Sequence, residues 1–227
     1  MSNSPKPEWN AWKEGVLSKI DPRRTALAII DIQRDFCSAD GALALLGSDV
    51  SPCAAAADRI AEFLPRVRNH IPLLAFFRLV YDPSCLSDAQ RERLLRDGRP
   101  VICSPDSSGS DLFISPGPGD RVFTKHRYSA FSNEQFCHAL HADSIDTVAV
   151  SGVDTHICVE NTVRQGHDLG YRMIVLSDLV ATRRSEFSRH ENALTLSERY
   201  FGLVIESEQF LNLLTARRPT VPSLPRS

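Results

Sequence analysis

No stretch of this chain approaches the roughly 20 apolar residues that a membrane-crossing helix requires, so no spanning segment is expected. The start, MSNSPKPEWNAW, is polar, holds two prolines and lacks the apolar core of a secretion signal. A cytoplasmic protein is the expectation. Charge of one sign is also missing: 26 basic residues face 28 acidic ones, a net of −2. That balance builds no strong field, which argues against nucleic acid or an anionic membrane as a partner. Paired cysteines are absent too. Cys37, Cys53, Cys85, Cys103, Cys137 and Cys158 stand apart with no CxxC between them. They read as free thiols, mostly packing residues, any one of which could be a nucleophile. The histidines show no HxH or HxxxH spacing, so no metal is assigned; no organic cofactor is expected either. No repeat of solenoid period is present.

What the chain does have is 42% hydrophobic residues over 227 positions, enough for one large domain. Residues 1–22 read as an N-terminal arm, with Trp9 and Trp12 available to dock on the body or on another subunit. Residues 23–215 read as the folded domain, and 216–227, rich in proline, as a flexible tail. Thr25–Asp31 (TALAIID) is a near-continuous apolar run, the pattern of a strand buried on both faces. Further strands are expected at Pro72–Tyr81, Arg121–Lys125, Asp146–Ser151, Arg172–Leu176 and Leu203–Glu206. Helices are expected between them. One starts with Ser51 as cap and Pro52 at the first helical position and runs to about Leu64, where Pro65 ends or kinks it. Others cover Ser87–Leu95, a stretch capped by Ser132 and Gln135 through Leu140, one that carries Cys158, Ser188–Tyr200 and Glu208–Leu214. Ser104–Gly119 reads as a loop. Alternating strands and helices predict an α/β fold: a three-layer, doubly wound sandwich with a mostly parallel central sheet and helices on both faces.

Ligands of such sheets sit beyond the carboxyl ends of the strands. Asp31 closes the first strand, Lys125 closes the third, and Cys158 follows the fourth across a short turn. Together they supply a carboxylate, an ammonium and a thiol. An ammonium and a helix N-terminus both favour the thiolate, while a carboxylate can take and return a proton. Each residue also has a plain structural reading. A carboxylate after a strand is often a turn cap, a lone lysine is usually surface, and a cysteine in ICVENT can be a small core residue. The Arg183–Arg184 and Arg217–Arg218 pairs read as solvated surface.

Three segments carry a resemblance. TALAIIDIQRDFC, VFTKHRYSAF and VSGVDTHICVENTVRQGHDLGYRMIVLSD resemble, in order and spacing, the three signatures of the isochorismatase-like cysteine hydrolases. The resemblance spans about Thr25 to Leu214. It implies Asp31, Lys125 and Cys158 as catalytic triad, a cis peptide at Val153–Asp154, and an oxyanion hole from the Asp154 and Cys158 N–H groups. Many relatives carry a small residue where Asp154 stands, so its carboxylate is expected to point away from the reacting carbonyl. Phe36 falls where relatives place an aromatic pocket wall, and Tyr128 and Phe131 are further lining candidates. Nicotinamidases hold a metal with histidines after the first motif. GALALLGSDVSP and Phe77–Pro83 have none, which turns the reading away from that activity. Isochorismatases proper lack the cysteine that Cys158 supplies. The resemblance thus implies a homodimeric or homotetrameric amidohydrolase acting on a small amide, ureide or carbamoyl compound through a thioester, like the amidases of N-carbamoylsarcosine, ureidoacrylate, biuret or maleamate. Arg34, Arg78 and Arg127 are candidates to hold a substrate carboxylate. The alternatives are a non-catalytic, oligomeric small-molecule binder on the same fold, or a nicotinamidase- or isochorismatase-type activity.

Overall fold

The computed structural model describes residues 7–98 and 101–216. Among these, six strands form one sheet: β1 (Thr25–Ile30), β2 (Leu73–Leu79), β3 (Arg121–Lys125), β4 (Thr147–Gly152), β5 (Arg172–Val180) and β6 (Gly202–Ile205). Their order is β3-β2-β1-β4-β5-β6, and every pairing is parallel. Parallel neighbours need crossovers, and helices supply them. The helices are α1 (Pro7–Leu17), α2 (Arg34–Cys37), α3 (Ala42–Leu45), α4 (Ser51–Val67), α5 (Asp88–Asp97), α6 (Glu134–Ala142), α7 (Glu160–Asp168), α8 (Phe187–Leu196) and α9 (Ser207–Ala216). Every residue of β1 and β4 is buried, so both faces of the sheet's centre are covered. Burying a side chain such as Ile29 or Ile30 contributes about 1.5–3 kcal/mol. None of the described helices is long and apolar enough to cross a membrane.

The order reverses between β1 and β4: the chain runs outward through β2 and β3 on one side and through β5 and β6 on the other. A crevice opens at such a reversal. Register fixes what stands there. Ile30 pairs with Phe77 and with Gly152, so the residues after β1 and β4 emerge side by side. Gly152 has φ +112°, and a Cβ on it would meet the Ile30 carbonyl oxygen at 2.1 Å. Only glycine lets the two strand ends approach this closely.

Several boundaries differ from the sequence expectation. Strand β1 stops at Ile30, because Asp31 takes φ +51° and leaves the sheet. Helix α4 begins with Ser51 inside it and Val50 at the cap position, and Pro65 does not end it. Proline at 65 removes one bond near the last turn, and the chain stays helical to Val67. Asn133, not Ser132, caps α6, its side chain accepting from the Phe136 N–H at 2.9 Å. Strand β5 continues past Leu176 to Val180 across an irregularity. The expected helix at 188–200 is α8 followed by a wide π-type turn, Ser197–Phe201. In the N-terminal arm, α1 stacks Trp9 on Trp12, with 4.7 Å between ring centroids. Both line a hollow against Ile20, Tyr171 and Leu203 of the body. Residues 1–6, the tail from 217 onward and the Arg217–Arg218 pair lie outside the described residues.

Candidate active site

The loop after β1 is tied down by buried polar groups. The Gln33 side-chain amide donates to the carbonyls of Leu79 and Ser110, both at 2.9 Å, and its oxygen accepts from the Leu79 N–H at 2.8 Å. The buried Asp35 carboxylate accepts from the N–H groups of Ala42 and Cys103, at 2.9 and 2.6 Å. Gly109 leaves room for it, since a Cβ there would lie 2.2 Å from that carboxylate. The end of β1, the end of β2 and the 103–112 loop are thereby held as one unit.

Asp31 and Lys125 meet within this frame. Lys125 Nζ donates to Asp31 Oδ2 at 2.7 Å and to the Arg127 carbonyl at 3.1 Å, and neither side chain is exposed. Asp31 Oδ1 has no protein donor at hydrogen-bonding geometry. The Cys158 thiol is close enough for it and the pair to shift one another. Burial pushes the Asp31 carboxyl up, against the downward pull of Lys125 and Cys158. Burial would lower Lys125, but Asp31 foremost outweighs it and holds the ammonium charged. Burial pushes the Cys158 thiol well up, Lys125 pulls it down, and Asp31 pushes it up again. Burial thus opposes the thiolate that an ammonium and a helix end alone would favour.

Cys158 stands in a single π-type turn, Thr155–Val159, at the entrance to α7 rather than in the helix itself. Such wide turns recur at functional sites. The Val153–Asp154 peptide before it is cis. Val153 N–H donates to the Ile30 carbonyl at 2.9 Å and Thr155 N–H to the Ala181 carbonyl at 2.9 Å. The Thr162 hydroxyl donates to the Cys158 carbonyl at 2.7 Å. The Asp154 N–H makes no hydrogen bond among the described residues.

Cys158 opens into a cavity of about 150 Å³. Phe36, Leu43, Leu79, Ile102 and Ile157 give it apolar walls, and Tyr81, Tyr128, Arg93, Asp97, Asp154 and Arg183 add polar groups. Of the lining candidates from sequence, Phe36 and Tyr128 are in the wall. Phe131 is not. Its ring packs on Phe136 and Tyr171, with centroids 5.5 and 5.2 Å away, because the turn at 130–132 faces the aromatic cluster under β2 and β3. None of the three arginines considered for a carboxylate lines the cavity. Arg34 pairs with Asp40 on the surface, Arg127 donates outward to the Cys85 carbonyl, and Arg78 lies within β2.

The arginines that do line it are Arg93 and Arg183. Arg183 overturns the surface reading: its side chain is only 14% exposed, and its Nε has no hydrogen-bond partner among the described residues. Its neighbour Arg184 does stay outside, paired with Asp49. Asp154 Oδ2 lies 3.6 Å from Arg183 Nε, and Asp154 Oδ1 lies 4.0 Å from the Cys53 sulfur. Burial raises the Asp154 carboxyl, while Arg183 and then His156 pull it down. No sequence pattern marks Arg183, since its burial comes from the chain folding back over the cavity after β5. Among the described residues, no group of three His, Cys, Asp or Glu stands together to hold a metal ion.

A family model described as the isochorismatase domain matches residues 25–209. The chain belongs to the isochorismatase family. Among its family relatives is the ureidoacrylate amidohydrolase RutB of Pseudomonas syringae pv. syringae strain B728a. It is 30% identical over 211 residues, 85% of this chain and 84% of the relative. The enzyme of the same name from Serratia proteamaculans strain 568 is 30% identical over 213 residues, 86% and 84% of the two chains. A cysteine hydrolase from Pseudomonas syringae pv. phaseolicola 1448A has the same fold. Its TM-score is 0.75 at 23% identity, over 87% of this chain and 95% of that one. A pyrazinamidase/nicotinamidase from Streptococcus mutans UA159 aligns with TM-score 0.66 at 25% identity, covering 80% and 99%. This isochorismatase-family chain thus has relatives named amidohydrolases and shares its fold with solved hydrolases.

Proposed function

We propose that this chain is a cysteine amidohydrolase that cleaves the C–N bond of a small amide or ureide carrying a carboxylate. One observation carries the reading: a thiol that opens into a cavity stands against a buried carboxylate–ammonium pair, Asp31 and Lys125. The amide class is supported by the amidohydrolase names of the relatives. The carboxylate is supported by Arg183, whose largely buried guanidinium lines the cavity beside Cys158. Guanidinium and carboxylate make strong, paired hydrogen bonds. Ureidoacrylate, in the name of the relatives, is such an acid.

In the proposed cycle, Asp31 takes the thiol proton on Oδ1 as the Cys158 sulfur attacks the substrate carbonyl carbon. Because burial opposes a free thiolate, transfer and attack go together. The carbonyl oxygen becomes an anion that the Asp154 and Cys158 N–H groups receive. The C–N bond then breaks, and the proton on Asp31 leaves with the nitrogen as ammonia or an amine. The acyl group remains as a thioester on Cys158. Water then gives a proton to Asp31 and attacks the thioester, and that proton returns to the sulfur as the acid leaves. Lys125 stays charged throughout and stabilises the negative charge on Asp31 and on the intermediate.

The test is ammonia release across small amides, ureido acids and carbamoyl amino acids, for the parent chain and for Cys158→Ala. Turnover of at least one compound, lost in Cys158→Ala with the thermal unfolding temperature retained, is the expected result. Residual activity within about tenfold of the parent rejects the nucleophile, because removing a nucleophile costs far more than that. No turnover of any compound by the folded parent favours the non-catalytic binder.

A further inference from the structure

The turn that carries Cys158 is held from outside by a group that touches neither the cavity nor the triad. His190 Nδ1 lies 2.8 Å from Thr155 Oγ1, a contact across 35 residues that joins α8 to the first residue of the π-type turn. Thr155 is buried, and its N–H is already committed to the Ala181 carbonyl at 2.9 Å. The hydroxyl contact is a second, independent restraint on the same residue. Thr155 follows Asp154 directly and stands between the two N–H groups assigned above to the oxyanion. A rotation at Thr155 would therefore move one of those N–H groups relative to the other.

Helix α8 also packs against the turn, and the hydrogen bond adds a directional restraint at Thr155 that packing alone lacks. Ala193 is the one fully buried residue of α8. Phe187, 57% exposed itself, covers the imidazole by stacking on it, 5.7 Å between ring centroids. Burial holds His190 below its ordinary value despite Glu191, so the ring is a neutral hydrogen-bonding partner.

We propose that His190, through its hydrogen bond to Thr155, is a positioning residue that sets the spacing of the two oxyanion-binding N–H groups. It acts through Thr155 and touches no reacting atom. The inference rests on the reading of Cys158 as the nucleophile, and the experiment separates the two.

The experiment compares two reactions of the full chain at one pH. 4-Nitrophenyl acetate acylates a thiol through a tetrahedral oxyanion: sulfur bonds to the acetyl carbon and 4-nitrophenolate leaves. Iodoacetamide alkylates the same sulfur by displacing iodide and needs no oxyanion hole. Acylation is read as the 4-nitrophenolate burst above the Cys158→Ala background, and alkylation as carbamidomethyl-Cys158 by peptide mass spectrometry. His190→Ala and Thr155→Val are expected to slow acylation about 10- to 100-fold, the size of effect a misplaced donor produces, and to leave alkylation unchanged. His190→Asn, whose amide can stand where Nδ1 stood, and Thr155→Ser, which keeps the hydroxyl, are expected to restore most of the rate. The double variant should be no slower than the slower single one, because both remove the same bond.

The proposal is overturned if His190→Ala acylates at the parental rate, or if acylation and alkylation fall together. It is equally overturned if His190→Asn is no better than His190→Ala, or if the two single effects multiply. A parent chain that is not acylated at Cys158 removes the nucleophile reading, and this inference with it.

Discussion

Lys125 Nζ donates to Asp31 Oδ2 at 2.7 Å, from the end of β3 to the first residue past β1, with neither side chain reaching solvent. The attraction is offset by the cost of taking both charges out of water, so the pair says more about chemistry than about stability. Breaking it from one side is another matter. Lys125→Ala leaves a buried carboxylate without its ammonium and is expected to cost about 3–5 kcal/mol. The double variant Asp31→Asn/Lys125→Met, which removes both charges, is expected to regain a large part of that. Chemical denaturation of the three proteins measures both quantities. Equal losses in the single and double variants would mean that the charge imbalance is not what destabilises.

The titration of Asp31 gives the pH dependence a sign. Burial raises its carboxyl, and a protonated Asp31 cannot accept the thiol proton. The rate, as kcat/KM, is expected to fall as pH drops, with a midpoint above the ordinary aspartate value of about 3.9. The same burial raises the Cys158 thiol. Alkylation of Cys158 should therefore show no rise at the ordinary thiol value near 8.5. A pH–rate profile and a pH series of iodoacetamide labelling check the two halves separately. A thiolate already formed at neutral pH would contradict the second.

Arg183 is expected to decide which substrates stay. If its guanidinium pairs with a substrate carboxylate, Arg183→Ala should raise KM by about 10- to 100-fold, the worth of a charge-assisted hydrogen bond of 1.5–3 kcal/mol. The corresponding methyl ester, which lacks the negative charge, should be turned over equally by parent and variant. Steady-state kinetics with an acid and its methyl ester read this directly. An equal loss on both compounds would assign Arg183 to holding Asp154 instead.

Gln33 joins three elements through one side chain, with bonds to both backbone groups of Leu79 and to the Ser110 carbonyl. Gln33→Met is similar in size but leaves those groups buried and unpaired. Each costs about 1–3 kcal/mol when its partner is lost. A lower unfolding temperature is expected, with earlier proteolytic cleavage in the 103–112 loop. A variant as stable as the parent would show that water replaces the amide at no cost.

The chain's local chemistry was enough to determine the architecture. Apolar runs such as TALAII mark strands buried on both faces, and Arg121–Lys125 coincides with β3 from end to end, because strand and helix periods are local properties. Placing Asp31, Lys125 and Cys158 at or just after strand ends was legible for the same reason. The tertiary structure decided what those residues meet. Arg183 looks like surface in sequence and becomes a cavity wall. Phe131 looks like a wall and becomes core. The thiol that lysine favours as a thiolate is pushed by burial toward its protonated form. Each of these depends on chain segments far apart in sequence arriving at one place, and burial, which sets side-chain charge and packing, is a property only the assembled fold possesses.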